Sequence, residues 1–247
     1  MGLAFPELTQ NPGVNTVVQN LLAQGVIKNH VFSFYVGRDQ DGEFAIGGMD
    51  KTKMKKETLN CIDLVEPARY WLAPMSNQVK FGGEVVSSGK NAGIIDSGTS
   101  LIYGPKPAVM KMALQLGGTF VPLVNLFMVD CKKKIPDLEF EFGEKPYTVP
   151  GKDLLIKDQT GTKCFLAISV MMFGEEESVS NVETGETFDQ ELELDVAENL
   201  AGVSALPIPA RFSAGAWLMG DRFMMQYYNV FDVEKKQICF ADLEEGV

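Results

Sequence analysis

The chain has 247 residues, 45% of them hydrophobic, enough apolar material for a sizeable core or two smaller ones. Its formal charge of −11 argues against nucleic acid as a partner, and no apolar run approaches the roughly 20 residues of a membrane-spanning helix. The only histidine, His30, reads as an ordinary residue beside a strand, which rules out Ser-His and Cys-His catalysis. No spacing suits zinc, so neither a metal nor another cofactor is expected.

In chain order, residues 2–6 lead into a helical pattern over about 14–24 and then a strand over 31–36. Residues 44–50 form an apolar run ending in Gly47-Gly48, and 50–56 read as a basic, turn-like, solvated stretch. Residues 79–81 and 84–86 predict a hairpin around Gly82-Gly83. Ile94-Ile95 and Leu101-Ile102 read as buried strands on either side of a turn. Pro105 then opens a helix over 106–116, with Val109, Met112, Ala113 and Leu116 on its apolar face. Residues 138–142 and 147–149 predict a second hairpin around Gly143. A short helix over 222–227 and a hairpin turning at 234–236 close the chain. Met171-Met172 and Met224-Met225 read as core filling. The fold class is all-β, mostly antiparallel, with few short helices.

The turn between the two buried strands is Asp96-Ser97-Gly98-Thr99-Ser100. Glycine at 98 lets the backbone bend where a side chain would clash, and the hydroxyls of Ser97, Thr99 and Ser100 can donate to the carboxylate or to nearby backbone. A carboxylate held in this way suits acid–base chemistry. A bare Asp-Ser-Gly is an ordinary turn, and it is the apolar flanks that set this one apart.

In that setting the loop resembles the second active-site loop of pepsin-like aspartic proteases. The resemblance runs along nearly the whole chain. Residues 32–36 and 44–50 resemble the strands that cross from the first lobe of such enzymes into the second, and Tyr70-Trp71 resembles the strand that follows. Residues 216–221, Ala-Trp-Leu-Met-Gly-Asp, resemble the family's apolar-Gly-Asp strand, and 228–232 its closing hairpin. The segment 2–6 resembles one late in the first lobe, and the family's first active-site loop and flap hairpin do not appear. The resemblance therefore implies a remnant of the first lobe over 1–36 and a second lobe over 37–247.

The activity implied is an aspartic-type endopeptidase acting on peptide or protein substrates at acidic pH. Two neighbouring carboxyls share one proton; the ionised one activates a water and the protonated one polarises the scissile carbonyl. Asp96 would be one member of the pair. Ser97 would take the place of the hydroxyl linking the two loops, and Gly98 would permit their approach. Thr99 would bond the Asp96 carboxylate, and Ser100 would lie near the substrate backbone. The mate of Asp96 would come from a missing N-terminal lobe of the same precursor, leaving this chain inert alone. A non-catalytic binding or inhibitory module and a homodimer pairing two copies of Asp96 are the alternatives.

Between residues 174 and 214 ten acidic residues face Arg211 alone, which accounts for nine of the eleven net negative charges. The stretch reads as an inserted acidic surface loop. The family's second-lobe disulfide implies a Cys131–Cys164 bridge, whereas Cys61 and Cys239 could be buried thiols or a second bridge. Four cysteines fit the secretory pathway, in a lysosomal, vacuolar or extracellular setting.

Overall fold

The computed structural model of the chain describes residues 2–8, 13–38, 40–76, 78–158, 160–171 and 208–246. The acidic stretch 174–207 and Met172 lie outside the described residues. Helix α1 (Val17–Ala23) is shorter than the predicted 14–24. Its start is fixed by a capping box: Gln19 N donates to Thr16 Oγ1, and Thr16 N donates back to Gln19 Oε1. Helix α2 (Lys106–Leu116) has the predicted bounds, because Pro105 sets its entry and Gly117, at φ 63°, supplies the left-handed residue that ends it. Helix α3 (Asp221–Met224) is shorter than expected, since residues from Tyr227 onward are drawn into a buried strand.

The strands in chain order are β1 (Val31–Tyr35), β2 (Glu43–Ile46), β3 (Asn60–Asp63), β4 (Leu72–Pro74), β5 (Gln78–Phe81), β6 (Glu84–Ser88), β7 (Ala92–Ile95), β8 (Ile102–Gly104) and β9 (Thr119–Val121). They continue with β10 (Leu126–Val129), β11 (Leu138–Phe142), β12 (Lys145–Val149), β13 (Leu155–Lys157), β14 (Cys164–Leu166), β15 (Ile168–Val170), β16 (Ala216–Met219), β17 (Tyr227–Asp232) and β18 (Gln237–Asp242). The all-β expectation holds, and the strands assemble into four sheets.

The first sheet, ordered β2-β1-β17-β18-β3, is antiparallel throughout and places β1 beside the C-terminal hairpin. On it Phe32 stacks on Phe231 at 4.8 Å, and Trp71 meets both rings edge-on. Cys61 and Cys239 are register partners on β3 and β18 and are joined as a disulfide. That resolves the pairing left open by the sequence. The second sheet, β12-β11-β5-β6, contains both predicted central hairpins and turns Phe81, Phe140, Phe142 and Tyr147 into the main core. The third, β13-β14-β10-β9, is tied at one end by the Cys131–Cys164 disulfide. The fourth, β15-β8-β16-β7-β4, mixes parallel and antiparallel neighbours, and it positions the Asp96 loop.

Candidate active site

Strand β7 runs into Asp96, and the chain returns along β8 after the loop 96–101. The two strands are not neighbours. β16, from far along the chain, lies between them, parallel to β7 with Leu218 opposite Ile94 and antiparallel to β8 with Leu218 opposite Tyr103. The loop therefore arches over the end of β16 and is bonded to it. Asp96 N donates to Met219 O at 3.1 Å, Gly220 N to Leu101 O at 3.0 Å, and Asp221 N to Thr99 O at 2.7 Å. Gly220 is required by this closeness, because a Cβ there would lie 2.0 Å from Thr99 O and 2.5 Å from Leu101 O.

The carboxylate of Asp96 is held at both oxygens. Gly98 N donates to Oδ1 at 3.0 Å, and Thr99 Oγ1 donates to Oδ2 at 2.6 Å. An amide and a hydroxyl, one on each oxygen, fix the carboxyl plane and leave the outer lone pairs free for a further donor. Ile94, Ile95 and Ile102 are buried, so the strands beneath are pinned in apolar surroundings. The loop is more open than its flanks: Asp96 and Thr99 are partly exposed, and Ser97, Gly98 and Ser100 are exposed. Gly98 packs with little room, as a Cβ there would sit 3.2 Å from Asp96 Oδ1.

Side chains alternate along a strand, so Ile94 and Ile95 point to opposite faces of β7. The Ile95 face belongs to the main core. The Ile94 face carries a separate apolar cluster containing Leu72, Met171, Phe212 and Leu218, with Tyr70, Tyr103 and Ile208 packed at its margin. Beside it lies a cleft of about 360 Å³ lined by Val65, Pro67, Arg69, Tyr70, Leu72, Ile208 and Pro209. No residue of the Asp96 loop lines this cleft; it is related to the loop through Leu72, which lies opposite Ile94 on β7.

Asp221 joins the site from α3. Its carboxyl is pushed above the usual aspartate range by burial, which Arg222 opposes and to which the negative charge of Asp96 adds a smaller upward push. Sequence reasoning noticed Gly220-Asp221 only as part of a strand motif. Nothing in the local pattern says that its next residue meets the Asp96 loop, because that contact is made by the β16 insertion. Tyr70 entered only as part of a strand motif and Tyr103 was not singled out; burial raises both phenols. Among the described residues no His/Cys/Asp/Glu group is arranged to hold a metal. His30 immediately precedes β1, and its carbonyl accepts from Val233 N at 2.9 Å.

The family model described as eukaryotic aspartyl protease matches residues 1–243, and the chain belongs to that family. Its fold is accordingly the pepsin-like one. Aspartic protease 1 of Toxoplasma gondii is 34% identical over 99% of the chain, and cathepsin D of Clupea harengus and of Homo sapiens are each 29% identical over 98%. The chain spans about half the length of these cathepsins, 53% and 51%, and 38% of the Toxoplasma protein.

Proposed function

We propose that this chain supplies one half of an aspartic endopeptidase active site, with Asp96 as one of two carboxyls that activate water for peptide hydrolysis. The observation carrying this reading is the Asp96 carboxylate held by Gly98 N and Thr99 Oγ1 on the open side of the β16 insertion. Two carboxyls brought together share a proton, because both cannot ionise cheaply. The ionised one draws a proton from a bound water, whose oxygen attacks the scissile carbonyl. The protonated one donates to the carbonyl oxygen, and the tetrahedral species collapses as the amine leaves with a proton. Thr99 keeps the Asp96 carboxyl oriented, Gly98 allows a second loop to approach, Ser97 bonds that loop, and Ser100 lies along the substrate backbone. The cleft beside Tyr70 and Leu72 takes an apolar side chain of an extended peptide.

The mate of Asp96 belongs to an N-terminal lobe encoded with this chain, of which residues 1–36 are the last part and 37–247 the complementary lobe. Val14, Val17, Val26 and Phe44 support this, since all four are exposed large apolar side chains in or next to that first piece. Two disulfides support a secretory-pathway compartment. The test is cleavage of acid-denatured globin at mildly acidic pH by the purified 247-residue chain. No cleavage is expected from the chain alone. Cleavage that a statine-type inhibitor blocks and Asp96→Ala abolishes would replace the two-lobe reading with a homodimer.

A further inference from the structure

We infer that α2 and the β9–β10 hairpin form a contact surface for an anionic membrane. The inference uses none of the loop residues and is independent of the catalytic reading. A chain with 33 acidic residues has no Asp or Glu from 97 to 129. Across residues 106–134 the five lysines 106, 111, 132, 133 and 134 face Asp130 alone. None of the five belongs to an ion pair among the described residues. This unit is thus net positive in an acidic chain, as is the separate 50–56 stretch.

The same unit displays apolar side chains to solvent. Leu114 is 73% exposed, Leu123 46% and Phe120 43%. Helix α2 buries Val109, Met112, Ala113 and Leu116 and leaves Met110 and Leu114, one turn apart, on its outer arc. Leu123 stands in the turn Pro122–Val124 at the hairpin tip, which Asn125 closes in a left-handed conformation at φ 50°. The pieces are fastened together: Gly118 N donates to Ala113 O at 2.8 Å, and Lys133 Nζ donates to Gln115 O at 3.3 Å. A soluble polyanion would match one half of this chemistry. An acidic lipid surface matches both, with headgroups against the lysines and the Leu and Phe side chains in the interface.

Flotation of the purified 247-residue chain with vesicles tests the inference. The chain should float with phosphatidylserine–phosphatidylcholine vesicles and stay behind with phosphatidylcholine alone. Lys132→Glu with Lys134→Glu should lower partitioning at least about tenfold. Leu114→Ser with Leu123→Ser should lower it several-fold while leaving retention on heparin unchanged. Both variants should melt at the parent temperature, which separates lost binding from lost folding. Absence of binding to acidic vesicles, equal binding to neutral ones, or binding that survives either pair of substitutions in a folded protein would overturn it.

Discussion

Gly220 and Asp221 show how tightly single residues constrain the site. At Gly220 even one methyl group would overlap two backbone carbonyls of the opposing loop, neither of which can rotate away. Gly220→Ala should therefore cost about 3 kcal/mol of stability, read from urea unfolding, by forcing the loop off β16. Asp221 gives a pH-dependent prediction. Its folded-state pKa lies above the value of about 3.8 expected for the unfolded chain. The native state therefore binds the proton more tightly, and the stability this confers is complete below the unfolded value and lost as pH rises through the folded one. Asparagine at 221 has no proton to lose. Asp221→Asn should match the parent's melting behaviour near pH 3 and melt higher than the parent by pH 6–7. Equal pH dependence in the two proteins would contradict burial and the Asp96 charge as the causes of the shift.

The decisive element is β16. Trp217 on this strand is fully buried, and its ring occupies the space above Gly104 of β8, where a Cβ would approach to 2.4 Å. The strand thus sets the spacing of β7 and β8 from within, and the loop joining them inherits that spacing. This explains which parts of the molecule were legible in the sequence. Helix α2 could be read to the residue, because Pro105 and Gly117 punctuate it and its apolar period is unbroken. The hairpins at Gly82-Gly83 and Gly143 were legible for the same local reason, with all three glycines at positive φ. The parallel pairing of β16 with β7 was not, since no local pattern encodes a partner so distant in the chain. The Cys61–Cys239 bridge was open until β3 and β18 were seen in register. Loop-closure entropy then ranks the two disulfides. The bridge closing 178 residues should contribute about 5 kcal/mol, and the one closing 33 residues about 4 kcal/mol. Paired Cys→Ser substitutions followed by denaturant titration should show the larger loss for Cys61 and Cys239.

At the scale of the whole molecule, the described residues enclose one main core on one side of the β7–β16–β8 sheet. The other side holds a smaller apolar cluster that includes Ile94, two residues before Asp96. The Asp96 carboxylate has an orienting hydroxyl and an orienting amide, and within the proposal it lacks only a second carboxyl. The most direct measurement is globin cleavage at acidic pH by the protein translated from its complete transcript, compared with its Asp96→Asn variant. We expect statine-sensitive cleavage in the parent and none in the variant, with the two proteins melting at the same temperature. Cleavage undiminished in a folded Asp96→Asn protein would remove Asp96 from the chemistry.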